Sequence, residues 1–202
     1  MLRQGAKNAS EAASMSDSIA NATSSLSATL SEMLALAQKV QADPSQSATA
    51  SPAFKALATT LAATVSGTQY NGISLLDGDA WGTDKRLTVS GDGATATVPI
   101  QLGYGTSTFS LHTLSGLKEL TAVDLNTISP ADLTTLANSL ADYGSILATL
   151  NSNYTSLATS YTSEKNFMIE QAEILARAAK NALPDETDPL LRSRGGIVSS
   201  LG

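Results

Sequence analysis

A heptad rhythm of apolar side chains in the C-terminal half of the chain is the feature that most limits the fold. Between Leu133 and Tyr161, apolar residues recur at alternating steps of three and four over four repeats. This spacing is typical of a helix that packs along its length against other helices. Residues 129–132 supply a serine N-cap, a proline tolerated in the first turn and a capping-box carboxylate. The pattern predicts one helix from residue 129 to about residue 181, roughly 75–80 Å long at 1.5 Å per residue.

Two further amphipathic segments can cover this apolar stripe. Residues 8–41 repeat the same steps with smaller side chains, which predicts a helix that a partner bearing Leu and Tyr can approach closely. Residues 45–51 are polar and predict a loop. Ser51 and Pro52 then favour the start of a third helix, which Gly67 ends as its C′ residue and which folds back on the second helix. The predicted seam between the helices comprises Met15, Ile19, Leu26, Leu30, Met33, Val40, Leu57, Leu61, Leu133, Leu136, Leu140, Tyr143, Leu147, Leu150, Tyr154 and Leu157.

The middle of the chain changes to strand-like spacing. Residues 86–90 and 94–100 alternate apolar and polar side chains on either side of the Gly-Asp-Gly at 91–93, which indicates a hairpin. Residues 108–112 can add a third strand. Pro99 lacks an N–H and should therefore lie at a sheet edge or a bulge. The expected fold class is mainly α: an elongated antiparallel helical bundle or coiled coil with a small β-hairpin element at one end.

Composition argues against several classes of function. The net charge of −6 opposes binding to nucleic acid or to anionic membrane surfaces. The chain has no cysteine, which excludes disulfides and thiol chemistry. No apolar run approaches the roughly 18–20 residues that span a bilayer. The first seven residues lack the apolar core of a cleavable signal peptide, so we expect any export to use another route.

Residues with catalytic or ligand-binding potential are few. His112 is the single histidine, and its position on a predicted strand suggests a structural or surface role. Asp77, Asp79 and Asp84 cluster among glycines without the spacing of a calcium loop, so we expect a solvated turn. Trp81 lies in the same glycine-rich loop and is our prediction for an exposed contact residue. We therefore expect no enzyme, no metal site and no cofactor.

A ten-residue block directly after the third helix carries a family resemblance. Residues 69–78 read Gln-Tyr-Asn-Gly-Ile-Ser-Leu-Leu-Asp-Gly, with a turn signal at Asn71-Gly72. The capped helix followed by this block resembles bacterial flagellin at the end of the N-terminal helical pair of its rod domain. Residues 30–40 resemble the first long helix of that domain, and residues 8–15 are similar to the stretch that opens it. The residues that carry the turn motif are Gln69, Tyr70, Asn71, Gly72, Leu75 and Leu76.

The resemblance implies a domain plan. Residues 1–78 correspond to the N-terminal helical pair and the turn block, and residues 79–117 to a β-hairpin element. Residues 118–183 hold a linker and the long C-terminal rod helix, and residues 184–202 are predicted to be a disordered polar tail. The flagellin inner-tube helix and the variable outer domains have no counterpart here, so this form should polymerise poorly alone.

The function that the resemblance implies is structural. We expect a subunit of the bacterial flagellar filament that self-assembles through long helical surfaces for motility and is extracellular. Its expected partners are other copies of itself and an export chaperone, with no nucleic acid and no membrane insertion. The alternative is a non-polymerising, flagellin-like cell-surface adhesin or a hook–filament junction protein.

Overall fold

The computed structural model describes residues 1–103 and 105–182, and these are mainly helical with two small antiparallel sheets. The three long helices are α1 (Leu2–Ala42), α2 (Ser47–Gly67) and α3 (Pro130–Ala182). The strands, all between α2 and α3, are β1 (Gln69–Tyr70), β2 (Ile73–Ser74), β3 (Thr88–Val89), β4 (Thr95–Leu102) and β5 (Gly105–His112). The prediction of a mainly helical chain with a small β element is confirmed. The predicted tail at 184–202 lies outside the described residues.

Helices α1 and α3 pack along each other in opposite directions. Gln41, near the end of α1, donates a 3.0 Å hydrogen bond to the hydroxyl of Thr134, near the start of α3. Midway, the Asn151 side chain of α3 donates to the carbonyl of Ala20. At the far end, Met168 is buried with the first turns of α1. The order of these contacts fixes an antiparallel pair.

Small side chains on α1 form much of this contact. The alanines of α1 that are buried are Ala6, Ala9, Ala12, Ala13, Ala20 and Ala37. Because they project little, the leucines and tyrosines of α3 can come close to the α1 backbone. Every predicted seam residue is buried except Leu57, Tyr143 and Leu157, which are half-buried against the same core.

The helix starts agree with the sequence prediction at α3 and differ at α1. The Asp132 N–H donates to the Ser129 hydroxyl at 3.1 Å, and that hydroxyl donates to the Asp132 carboxylate at 2.7 Å, so the predicted cap is present. Helix α1 begins at Leu2 rather than near residue 8. The reason is packing, because Leu2 and Ala6 cover Met168 and make the first turns part of the core.

The predicted start of α2 is wrong. The helix begins at Ser47, so it takes up most of the predicted loop, and it contains Pro52 in its interior; a short 3-10 turn, Pro44–Gln46, precedes it. The hydroxyl of Ser51 does not cap a helix. It donates a 2.7 Å hydrogen bond to Asp124, which ties α2 to the segment that precedes α3. Gly67 is the last helical residue rather than a left-handed C′ residue.

A 3-10 helix helps α2 to close the third side of the bundle. Helix α2 packs on α1 and on the 3-10 helix Ser115–Ala122, of which residues 118–122 were predicted to be linker. Leu117 and Leu120 of this segment are buried. A methyl group added at Gly116 would lie 3.2 Å from the Tyr143 hydroxyl, so the segment also approaches α3.

The larger sheet has the order β3-β4-β5 and lies against the N-terminal part of α1. Strands β4 and β5 pair along their whole length, whereas β3 pairs with β4 only at Thr88↔Thr97 and Val89↔Ala96. Pro99 lies beyond the end of β3, so its missing N–H costs no bond on that side and the prediction of a local edge is confirmed. The side-chain amide of Asn8 in α1 donates to the carbonyl of Gln101 at 2.8 Å.

Candidate functional site

The turn block after α2 forms a tight hairpin. Strands β1 and β2 pair at Gln69↔Ser74 and Tyr70↔Ile73, which leaves two residues in the turn. Asn71 and Gly72 have φ values of 49° and 75°, the positive values that a type I′ turn requires. The predicted turn at Asn71-Gly72 is therefore present. Arg86 donates to the carbonyl of Asn71 at 2.9 Å and ties the turn to the chain before β3.

The two leucines that follow the hairpin anchor it. Leu75 and Leu76 are 0% and 1% exposed. The N–H of Leu75 donates to the carbonyl of Thr68 at 2.9 Å, and the N–H of Leu114 donates to the carbonyl of Leu76 at 2.8 Å. The turn block thus connects the end of α2 to the segment after β5. Gln69 is exposed and Tyr70 is half-buried, so these two motif residues reach the surface.

A buried carboxylate holds these segments together, which contradicts the prediction of a solvated turn for Asp77, whereas Asp79 is exposed. Asp77 accepts hydrogen bonds from the hydroxyls of Ser66 and Ser115, both at 2.9 Å, and from the ammonium of Lys118 at 2.8 Å. Lys118 also pairs with Asp79 at 2.6 Å. We call Ser66, Asp77, Asp79, Ser115 and Lys118 the Asp77 cluster. It joins α2, the loop after β2 and the 3-10 helix.

The protonation behaviour of the joint follows from these contacts. Burial raises the pKa of Asp77, but the hydrogen bonds from Lys118, Ser66 and Ser115 outweigh it, and the pKa lies below its ordinary value. The hydrogen bonds that Lys118 donates to Asp77 and Asp79 raise the pKa of its ammonium. At the exposed end of the loop, the hydrogen bond from Arg86 lowers the pKa of Asp84 to about 2. Asp77 and Lys118 are therefore both ionised at neutral pH, and their contact suits a structural clamp.

The prediction that Trp81 is an exposed contact residue is wrong. Its side chain is 1% exposed, and its indole N–H donates to the carbonyl of Ser74 at 2.9 Å. The 3-10 turn Gly78–Thr83 carries the ring inward under the β1–β2 hairpin. Glycine-rich sequence suggested a surface loop, but burial of so large an aromatic side chain outweighs the local turn preference.

An aromatic cluster docks the sheet onto α3. Phe109 of β5 is fully buried, with its ring centroid 6.0 Å from that of Tyr154 and 6.2 Å from that of Tyr161. The two tyrosines follow the heptad spacing as predicted. They pack against the sheet, in addition to lying along the helical seam, and burial raises the pKa of both hydroxyls.

His112 belongs to the same contact between the sheet and α3. The Tyr154 hydroxyl donates to the carbonyl of Ser110 at 2.8 Å and lies 3.3 Å from His112 Nδ1. Because the tyrosine proton is already used, the His112 contact requires Nδ1 to carry a hydrogen. This arrangement positions the end of β5. Among the described residues, no carboxylate and no further nucleophile takes part in these hydrogen bonds.

Neither a metal-binding cluster nor a membrane-spanning helix occurs among the described residues. Within residues 1–103 and 105–182, no three His, Asp or Glu side chains come together in a group that could hold a metal ion. Over the same residues, none of the helices combines the length and apolar character needed to cross a membrane.

Large apolar side chains are exposed near the end of α3. Phe167, Ile174 and Leu175 are 58%, 57% and 57% exposed, although Met168 beside them is 4% exposed. Met168 faces α1, whereas Phe167 lies at the same level and faces away from it. Among the described residues these side chains leave apolar area exposed, and exposed apolar area of this kind is typical of interaction surfaces.

Comparison with known proteins gives no relatives. No protein-family model matches the chain, and neither the curated proteins nor the solved structures include a significant match. The flagellin resemblance therefore rests on the residues of the turn block and on the order of the elements.

Sequence reasoning missed the groups that hold the elements together. Nothing in the spacing of Asp77 and Lys118, 41 residues apart, signals their contact. Asn151 looked like one polar residue among many on α3. A signal for Asp77 was available in part, because a carboxylate directly after two buried leucines must find partners or leave the core.

Proposed function

We propose that this chain is a structural subunit of a bacterial flagellar filament and assembles through its long helical surfaces. The observation that carries the proposal is the antiparallel pairing of α1 with α3, joined to a type I′ hairpin directly after α2. That order of elements is what the resemblance to the flagellin rod domain implies. The finer description, an elongated bundle with its β element toward one end, is part of the same proposal.

The surface chemistry supports a role in assembly. Helix α3 has 53 residues, roughly 80 Å at 1.5 Å per residue, and so offers a long contact surface. Its exposed face is rich in Ser, Thr and Ala, which allow close lateral packing. Phe167, Ile174 and Leu175 add exposed apolar area near its end. We also propose an extracellular location, because the resemblance to flagellin implies one.

The direct test is genetic. Deletion of the gene in the source bacterium should abolish or reduce swimming in soft agar, and a plasmid copy should restore it. Filaments sheared from the complemented cells should contain the chain by immunoblot and should bind a specific antibody along their length in electron micrographs.

The outcomes separate this function from its alternatives. Label confined to the base of each filament would favour a hook–filament junction protein. A fully motile deletion strain with altered surface adhesion would favour an adhesin and would refute the filament proposal. Restored motility with a chain that carries Leu147→Asp, a fully buried seam residue, would argue against assembly through the paired helices.

A further inference from the structure

The tip of the β1–β2 hairpin carries a chemically reactive pair of residues. Asn71 is followed by Gly72, whereas every other asparagine of the chain is followed by a residue with a side chain. Because glycine has no Cβ, its main-chain nitrogen can approach the side-chain amide carbon of the preceding asparagine without obstruction. Asn71 and Gly72 are both exposed, so water reaches them. The hairpin tip therefore presents the sequence and the access that loss of an asparagine amide requires.

The reaction is an intramolecular acyl transfer whose only co-reactant is water. The main-chain nitrogen of Gly72 forms a bond to Cγ of Asn71, and the bond from Cγ to the side-chain nitrogen breaks. The proton that leaves the Gly72 nitrogen departs with the amide as ammonia. Water then opens the resulting succinimide ring at either of its carbonyl groups. One opening gives aspartate, and the other gives isoaspartate, in which the main chain runs through the former side chain.

The backbone of the closed turn holds the reacting atoms apart. Asn71 has a φ of 49°, which is the left-handed conformation. In this conformation ψ is about +47°, which puts the nitrogen of Gly72 nearly opposite Cβ of Asn71 across the Cα–C bond. Ring closure needs that nitrogen on the same side as Cβ. Asn71 must therefore rotate about its Cα–C bond and leave the type I′ turn before it can react.

Arg86 restrains this rotation directly. Its guanidinium donates a 2.9 Å hydrogen bond to the carbonyl oxygen of Asn71, and that oxygen moves when ψ of Asn71 changes. Asp84 holds the guanidinium in place, because it accepts from Nε at 2.9 Å and from Nη2 at 2.6 Å. A two-point contact of this kind fixes the plane of the guanidinium. The chain of contacts from Asp84 through Arg86 thus keeps the turn in its unreactive conformation.

The hydrogen bond from Arg86 has a second, opposite effect. It polarises the peptide group between Asn71 and Gly72, which makes the N–H of Gly72 more acidic and so favours attack. This effect requires the bond to be present, however, and the bond must break before Asn71 can rotate into the reactive conformation. Restraint therefore outweighs polarisation, and the contact slows the reaction.

We propose that Asn71-Gly72 is a site of spontaneous deamidation and that the contact of Arg86 with the Asn71 carbonyl, supported by Asp84, keeps its rate low while the hairpin is closed. The two products differ in their effect on the hairpin. Aspartate suits a type I′ turn as asparagine does. Isoaspartate adds a carbon to the main chain, which a two-residue turn between Tyr70 and Ile73 cannot accommodate. The proposal does not rest on the filament function.

Mass spectrometry of the full chain, incubated at mildly alkaline pH, tests the site and its restraint. Asn71 is the single asparagine between residues 22 and 125, so a tryptic peptide that contains it reports on it alone. The folded wild type should deamidate there at least about tenfold more slowly than the same chain in urea, because reaction waits for local opening. Fragmentation spectra distinguish aspartate from isoaspartate.

Variants of the restraint give the sharper comparison. Arg86→Ala should raise the rate at Asn71 about fivefold in the folded chain, as expected for loss of one exposed hydrogen bond. Asp84→Asn, which leaves Arg86 without its carboxylate, should raise it as well. The matched control is Lys85→Ala, which removes an exposed neighbouring cation and should leave the rate unchanged. Circular dichroism verifies that each variant folds, and each rate should stay below the rate in urea.

The products test the effect on the hairpin. The isoaspartate form, separated by ion exchange, should have a lower thermal midpoint than Asn71→Asp, which carries the same charge on a normal main chain. Equal midpoints would contradict the expected loss of the turn.

Three results would overturn the proposal. They are a wild-type rate in the folded chain equal to that in urea, a rate that neither Arg86→Ala nor Asp84→Asn raises, and an acceleration by Lys85→Ala as large as that by Arg86→Ala.

Discussion

The side-chain amide of Asn151 in α3 donates a hydrogen bond of 2.6 Å to the backbone carbonyl of Ala20 in α1. The same nitrogen lies 3.4 Å from the hydroxyl of Thr23, which itself donates to the carbonyl of Ile19. The seam around these groups is apolar. A slip of one helix along the other would separate the amide from its acceptor, so this polar contact fixes the register of the pair.

Asn151→Ala should lower the free energy of unfolding by about 1 kcal/mol, the usual net contribution of one hydrogen bond. Urea denaturation followed by circular dichroism measures the change. Asn153→Ala, two residues away on the exposed face of α3, should stay within about 0.5 kcal/mol of the wild type. Equal losses in the two variants would show that the contact with Ala20 does not matter for stability.

Replacement of two glycines by alanine should change the stability of the protein in opposite directions. A methyl group at Gly5 would collide with the backbone of Gly103 and would lie 2.7 Å from the Met168 sulfur. Gly5→Ala should therefore destabilise the protein by about 1–3 kcal/mol, as overpacking does. Gly144 in α3 has open space around it, so Gly144→Ala should stabilise by about 0.5–1 kcal/mol through helix propensity.

Thermal denaturation of the two glycine variants gives the comparison directly. The midpoint should fall for Gly5→Ala and rise for Gly144→Ala. A neutral Gly5→Ala would mean that the tip of the β4–β5 hairpin does not press on the start of α1.

Removal of the charge of Asp77 should loosen the joint after α2. Asp77→Asn weakens hydrogen bonds from Ser66, Ser115 and Lys118 and should cost about 2 kcal/mol at neutral pH. Asp142→Asn, which removes the same charge from an exposed position of α3, is the control and should have little effect. Similar losses in both variants would contradict a role for the Asp77 cluster.

The contribution of Asp77 to folding stability should also depend on pH in a defined direction. Its pKa is lower in the folded chain than the value of about 3.9 in the unfolded chain, so the unfolded state binds the proton more tightly. The stabilisation is complete above about pH 5 and is lost as the pH falls through the folded pKa. Stability should therefore decline less steeply in Asp77→Asn than in the wild type on acidification, and parallel curves would refute this.

Trp81→Phe should reveal the importance of one buried hydrogen bond. The substitution keeps most of the apolar ring but removes the indole N–H that the carbonyl of Ser74 accepts. We expect a loss of about 1–3 kcal/mol, since a buried carbonyl loses its donor and a small cavity forms. Tyr70→Phe, a half-buried ring of the adjacent hairpin, serves as the control and should change stability by less than about 0.5 kcal/mol.

The long helices could be predicted because their signals are local and repeated. The heptad steps from Leu133 to Tyr161 and the capping box at Ser129 located α3 to within a residue or two. The Asn71-Gly72 turn was equally readable, since few residue pairs adopt positive φ at both positions.

The tertiary contacts between these segments could not be predicted in the same way. Trp81 and Asp77 lie in a stretch of glycine and aspartate that is typical of exposed loops, yet both are buried because distant segments cover them. Local pattern also misplaced the start of α2. Ser51 and Pro52 look like a helix start, but Asp43 ends α1 and the chain turns back at once, so helix begins before the proline.

The shortness of β3 affects how the sheet behaves when many copies are crowded together. Most of β4 has no neighbour on that side, but Pro99 offers an incoming strand no N–H, and the Asn8 amide already occupies the carbonyl of Gln101. Along the opposite border the Tyr154 hydroxyl occupies the carbonyl of Ser110. An incoming strand would therefore find part of each border already occupied, which makes the sheet a poorer template for edge-to-edge pairing.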